Sequence, residues 1–282
     1  VVFPRDYLRS LVDYYAEGEE VPHMREYAGG KIRLEQVEEG IYQLLINYPE
    51  RLNIITLEMR RAIGEALGDL LKTEARVLIV ASAGDRAFSA GGDMGEFLKT
   101  TTTDLLDWGK TLVELEELPI PTIAELKGYV LGGGLELALS CDIRIASTNA
   151  VIGLPEVRLG MVPASGGLTR FVKALGPLRA KYYILLGKRM TAEEALKLGL
   201  VDEVVPPEGL RGRVLEIARE LRELPPLALK EAKKLVSMIA DAPREVGFDL
   251  ERKTFGVLRY SRDFEEGIKA FFEKRRPNYT GA

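Results

Sequence analysis

The chain of 282 residues has little of the equipment on which many enzymes rely, with one cysteine, Cys141, and one histidine, His23. A lone cysteine excludes an internal disulfide and any cysteine-rich zinc site, and it fits a reducing compartment. With one histidine, a Ser-His-Asp triad, a Cys-His pair and a multi-histidine metal centre would all compete for the same side chain. That side chain lies in a charged N-terminal stretch of weak apolar periodicity, where a solvated surface histidine is the simpler reading. No metal site is expected. No apolar run reaches the length of about 18 residues that spans a bilayer, and the start of the chain spells no charged-then-apolar leader. An excess of charge of one sign is also missing: 39 basic residues face 43 acidic ones, for a net charge of -4. This balance argues against chain-wide attraction to nucleic acid or to an anionic membrane. A cytoplasmic protein with no membrane partner is the expectation.

Hydrophobic residues make up 46% of the chain, enough for a substantial buried core. Residues 1–30 read as an N-terminal extension, with a short helix over Tyr7 to Ala16. From Lys31 the pattern alternates. Ile41 to Asn47 reads as a strand, Thr56 to Thr73 as an amphipathic helix, and Arg76 to Ser82 as a strand buried on both faces. Thr122 to Val130 and Ile143 to Ser147 read as further strands, with a helix from Gly134 to Ser140 between them. Gly167 to Leu175 and Arg179 to Leu186 read as helices parted by Gly176-Pro177. Thr191-Ala192-Glu193-Glu194 spells a capping box, which makes Thr191 an N-cap. Leu200 to Val205 reads as the strand that leaves an α/β core spanning 31–209. Residues 210–282 read as helices broken at Pro225-Pro226, Pro243 and Pro277.

Two glutamates follow stretches that expose backbone rather than side chain. Glu136 closes Gly132-Gly133-Gly134-Leu135-Glu136, and Glu156 ends Val151-Ile152-Gly153-Leu154-Pro155-Glu156. Carboxyls in apolar, glycine-lined surroundings have raised pKa values, and a pair sharing one site can divide acid and base roles near neutral pH. Ala90-Gly91-Gly92-Asp93, Gly132-Gly133-Gly134 and Ser165-Gly166-Gly167 each have a plain reading as a turn or helix start. None spells a Walker lysine loop or a dinucleotide fingerprint. A glycine N–H exposed at a strand end can instead donate to a developing oxyanion, and two such donors form a hole.

Phe88-Ser89-Ala90-Gly91-Gly92-Asp93, Gly128-Tyr129-Val130-Leu131-Gly132-Gly133-Gly134-Leu135-Glu136, Cys141-Asp142-Ile143-Arg144-Ile145-Ala146 and Pro155-Glu156-Val157-Arg158-Leu159-Gly160 occur in that order. Together with Gly199-Leu200-Val201-Asp202 and the closing Glu266 to Arg275, they resemble the enoyl-CoA hydratase/isomerase, or crotonase, superfamily. The resemblance implies a crotonase-like spiral of β-β-α turns with a helical C-terminal region used in assembly, as a homotrimer or homohexamer. It implies an acyl-CoA thioester substrate, with coenzyme A part of that substrate and no separate cofactor. By position, the N–H groups of Gly92 and Gly133 match the oxyanion-hole donors. Glu156 matches the acid/base at the α carbon, and Glu136 the partner that orients water. Ala90, Gly91, Asp93 and Met94 match the loop holding the adenine end of coenzyme A, and Arg51 a basic residue near its phosphates. Phe271 and Lys274 match residues that reach coenzyme A from a neighbouring subunit. Asn53 fits the family motif as a structural residue.

Two glutamates in register are the mark of the hydratases, whereas isomerases of the group often keep one; hydration of a 2-enoyl-CoA is the implied reaction and isomerisation the alternative. Ala164 stands where hydratases commonly have glycine, and Leu154 where a more polar residue is common. RNA binding, known in the superfamily, would need a lysine-rich helix. Lys230, Lys233 and Lys234 beside Arg219 and Arg222 are interrupted by Glu220, Glu223 and Glu231, which reads as a solvated face. Phe248, Leu250, Phe255, Leu258, Phe264, Ile268, Phe271 and Phe272 are more apolar surface than a solvated appendage needs.

Overall fold

The apolar run Val77-Leu78-Ile79-Val80-Ala81-Ser82 is buried along its whole length, as expected of a central strand covered on both faces. In the computed structural model, which describes residues 24–99 and 101–282, this strand lies at the middle of a seven-stranded sheet. His23 and the short helix expected over Tyr7 to Ala16 lie outside the described residues. The sheet runs β1 (Met24–Tyr27), β2 (Ile32–Glu38), β3 (Ile41–Ile46), β4 (Val77–Ser82), β6 (Thr122–Leu126), β8 (Ile143–Ser147) and β11 (Glu203–Val205). The first three strands pair antiparallel, and from β3 onward every pairing is parallel. A second sheet has the order β10 (Arg189–Thr191), β9 (Val151–Gly153), β7 (Tyr129–Leu131) and β5 (Ala87–Ser89).

Chain order and sheet order together give the spiral. β4 in the large sheet is followed by β5 in the small one, then by helices Met94–Phe97 and Thr102–Glu116. β6 is followed by β7 and helix Gly133–Leu139, and β8 by β9. Each turn therefore contributes one strand to each sheet, the crotonase-like pattern.

The segment read as one strand from Thr122 to Val130 is two, in different sheets. The break is at Gly128, where φ is 52° and an added Cβ would sit 2.1 Å from the Arg86 carbonyl oxygen. Only glycine turns the chain there. The expected helix over Thr56 to Thr73 spans Leu57–Leu70, with the Thr56 side chain accepting from the Met59 N–H. Gly176, with φ 72°, kinks the helical run Gly167–Leu186 at the expected place. Thr191 and Glu194 form both halves of a capping box.

Both expected boundaries move. Met24–Tyr27 pairs with Ile32–Glu35, so residues 24–27 are a strand of the sheet and 28–30 lie in the turn that joins it to the next, rather than in an extension. Helix Pro207–Arg222 straddles residue 210 and lays Leu210, Val214, Ile217 and Ala218 on Ile79, Ile123 and Ile145 of the large sheet. It is therefore core, and the departing helices begin at Pro226. They are Pro226–Ile239, Arg244–Leu258 and Arg262–Glu273. Among the described residues no helix is long and apolar enough to cross a membrane.

Candidate active site

The two glycine corners meet because their strands do. β5 and β7 are parallel neighbours, so Gly91-Gly92 and Gly132-Gly133 leave the same edge of the small sheet side by side. Gly91 has φ 108° and Gly132 has φ 53°, conformations that side chains rarely tolerate. A Cβ on Gly91 would lie 3.7 Å from the amide nitrogen of Gly133, and one on Gly133 would lie 3.7 Å from that of Gly92. Among the described residues, neither of these two N–H groups donates to a protein acceptor. Two adjacent unengaged donors can hold one oxygen that gains negative charge.

Glu136 lies on Gly133–Leu139 with only 5% of its surface exposed. Its Oε1 accepts from the Ser165 N–H at 2.9 Å and the Gly167 N–H at 3.2 Å. A Cβ at residue 167 would be 2.5 Å from Glu136 Cγ, so glycine there makes room for the carboxylate. Burial pushes the Glu136 carboxyl up, and the two amides, then the Arg60 and Arg170 guanidinium groups, pull it partly back. Glu156 opens the 3-10 turn Glu156–Leu159. Its Oε1 is 3.2 Å from the place a Cβ on Gly132 would take, and its Oε2 is buried without a hydrogen-bond partner. Burial first, and the neighbouring Glu136 charge second, push this carboxyl up to about 7. Both glutamates line a cavity of about 220 Å³ together with Gly92 and Gly133. A larger depression of about 900 Å³ near Arg76 and Tyr279 contains none of these residues. The smaller one brings together one buried and one partly buried carboxyl, both with raised pKa, and two N–H donors without a protein acceptor among the described residues.

Ala90, Gly91, Asp93 and Met94 flank Gly92 in the chain, and Arg51 joins them through Asp93. The Ala90 N–H donates to the Leu52 carbonyl at 3.0 Å. Asp93 caps helix Met94–Phe97 through the Gly95 N–H at 2.8 Å and pairs with Arg51 at 3.0 Å. Met94 is exposed. Asn53 is structural: its side chain accepts from the Tyr48 N–H and donates to the carbonyls of Ala83 and Ala87. Phe271 and Lys274 lie exposed at the end of helix Arg262–Glu273 and do not line the cavity of their own chain. Leu154 is core, and Ala164 lines the cavity.

Three contributors escape the sequence reading. Ser165 and Gly167 read as a helix start, yet their amides grip Glu136. Arg60 lines the cavity at 7% exposure. Its signal is positional: it shares the stripe of Met59, Ile63, Ala66, Leu67 and Leu70, where an apolar residue belongs.

A match to the enoyl-CoA hydratase/isomerase family covers residues 36–282. A short-chain-enoyl-CoA hydratase of Clostridium acetobutylicum is 35% identical over 244 residues, 85% of this chain and 94% of that protein. An enoyl-CoA isomerase/hydratase, fer4, of Mycosarcoma maydis is 37% identical over 256 residues, 86% of this chain and 93% of the other. The crystal structure of an enoyl-CoA hydratase from Bacillus anthracis superposes with a TM-score of 0.86 at 32% identity, covering 89% of this chain and all of that one. With the family match and these relatives covering nearly the whole length of the chain, it belongs to the enoyl-CoA hydratase/isomerase family.

Proposed function

We propose that the protein is an enoyl-CoA hydratase that adds water reversibly across the double bond of a 2-enoyl-CoA to give a 3-hydroxyacyl-CoA. The observation that carries this reading is the presence in one cavity of two glutamates, one with its carboxyl pushed up to about 7, opposite two unengaged N–H donors. The thioester oxygen sits between the Gly92 and Gly133 N–H groups. Glu136 orients the water and takes its proton as the hydroxyl bonds to the β carbon. The electron pair of the double bond moves into the thioester as an enolate, and the hole holds that charge. Glu156 then gives its proton to the α carbon. Loss of one such donor in other enzymes costs roughly 3 to 4 kcal/mol of barrier, which makes the hole the largest single contribution expected here.

The segment of Ala90, Gly91, Asp93 and Met94, with Arg51, takes the adenine and phosphates of coenzyme A in this reading. Phe271 and Lys274, remote from their own cavity, serve that of a neighbouring copy in a homo-oligomer. Three of the five basic positions that an RNA-binding role would use are engaged by acids: Lys233 pairs with Asp142 at 2.8 Å, Arg219 with Glu38 at 2.6 Å, and Arg222 with Glu223 at 3.1 Å.

Glu136→Gln and Glu156→Gln, assayed with 2-enoyl-CoA and 3-enoyl-CoA esters side by side, test the assignment. Each change should lower hydration kcat by about 10²- to 10⁴-fold while coenzyme A ester binding stays nearly unchanged. Loss in only one of the two variants, with turnover confined to the 3-enoyl ester, would make the protein an isomerase.

A further inference from the structure

Arg60 occupies a place where a charged side chain is costly. It is 7% exposed, and its Nε and Nη1 are buried without a hydrogen-bond partner. The buried indole Nε1 of Trp108 also lacks one. The guanidinium lies over the rings of Phe97, at 5.8 Å, and Trp108, at 5.6 Å. These contacts fix its plane but satisfy none of its donors. Its Nη2 reaches the catalytic cavity, 2.9 Å from where a Cβ on Gly92 would stand. Nη2 belongs to both forked edges of a guanidinium, so either edge presented to the cavity includes it.

The nearby acids are committed elsewhere. Glu96 accepts from the Leu57 N–H at 2.7 Å. Asp104 accepts from the Thr101 N–H at 2.9 Å and pairs with Arg61 at 3.5 Å. Glu136 spends Oε1 on two amides. Glu136, Glu96 and Asp104 are close enough to hold the guanidinium charged against the burial that opposes it, but none forms an ion pair with it. A buried cation with open donors is costly by itself and becomes favourable when a ligand acceptor arrives. In a cavity of about 220 Å³, roughly seven waters' worth of space, an acyl group that brings such an acceptor has to be short.

We propose that Arg60 is a specificity residue of this site, and that it selects a short 2-enoyl-CoA whose acyl chain ends in a carboxylate. This rests on the hydratase reading above. Arg60 makes the cavity wall beside Gly92 cationic, where an uncharged chain would leave its donors unpaired and a carboxylate pairs with them.

Hydration of glutaconyl-CoA and of 2-pentenoyl-CoA, equal in chain length, is to be compared in the wild type, Arg60→Met and Arg60→Lys, with thermal unfolding measured for each. In the wild type, kcat/KM for the carboxylated ester should exceed that for the uncharged one by about tenfold or more. Arg60→Met should cut the carboxylated ester at least about tenfold more than the uncharged one, and Arg60→Lys should restore part of the preference. An equal rate on both esters in the wild type, or an equal loss on both in Arg60→Met, overturns this inference and leaves the hydratase assignment standing. Turnover of neither ester by the wild type overturns both.

Discussion

In the proposed reaction Glu136 and Glu156 hold one proton between them, and that sets the expected pH behaviour. Hydration starts with Glu156 protonated and Glu136 ionised, and dehydration starts with the proton on the other member. Both directions need the singly protonated pair, and the reaction itself takes up no net proton. Rates of kcat/KM against pH should therefore be bell-shaped and superimposable in the two directions, with an alkaline limb at or above about pH 7, where Glu156 ionises. Different midpoints for hydration and dehydration would refute the shared proton. Stability has the opposite lesson. The folded-state pKa of Glu156 lies above its unfolded value, so between about 4.5 and about 7 the native state binds more protons than the unfolded one. Stability from this group is then full at low pH and is lost as pH rises through that window. Glu156→Gln should accordingly unfold at a higher temperature than wild type at pH 8, by the equivalent of about 2 kcal/mol after allowance for partial exposure. The gap should close below pH 4.5; a variant less stable than wild type at pH 8 contradicts this account.

At the scale of elements, the loop Ser165 to Gly167 is a fitted clasp rather than a linker. Arg170, one turn into the helix that follows, pairs with Glu116 on Thr102–Glu116 at 2.6 Å and donates to the Ser165 carbonyl at 3.4 Å. Gly167→Ala should force Glu136 off its two amides, because the new methyl would fall 2.5 Å from Cγ. A loss of about 1 to 3 kcal/mol in unfolding free energy, with a fall mostly in kcat, is the expected result. A variant with unchanged kcat would show that the amides do not position the carboxylate. Strands such as Val77–Ser82 and helices such as Leu57–Leu70 are legible from periodicity, since burial writes itself directly into local pattern. The Gly128 break is not legible, because it is imposed by close approach of a carbonyl 42 residues earlier in the chain. The glutamates stand out by their glycine-rich context and the family motifs. Arg60 stays hidden, because a single arginine on an apolar stripe looks like the flank of a surface helix until its neighbours are known.

For the whole molecule, the C-terminal helices carry their hydrophobicity outward. Phe255, Phe271 and Phe272 are 61%, 78% and 77% exposed in the single chain. The tail beyond them is tied back, with the buried Asp263 side chain accepting from the N–H groups of Thr280 and Gly281. So ordered an apolar face is suited to another copy of this chain. Deleting Phe264 to Ala282 should reduce the mass seen by light scattering and weaken coenzyme A ester binding together. A full-length monomer with normal turnover would separate assembly from activity and remove Phe271 and Lys274 from the site.

The paired glycine corners have a consequence that needs no substitution to detect. The N–H groups of Gly92 and Gly133 have no protein acceptor among the described residues, although Phe88 and Val130 in the strands before them are fully buried. In the free protein their amide protons should exchange with deuterium far faster than those of Phe88 or Val130. In the proposed binding mode a saturating thioester places an acceptor on both at once, so the two should slow in concert while their neighbours change little. Two backbone amides, silent in every side-chain inventory, thus become a direct clock for occupancy of the site.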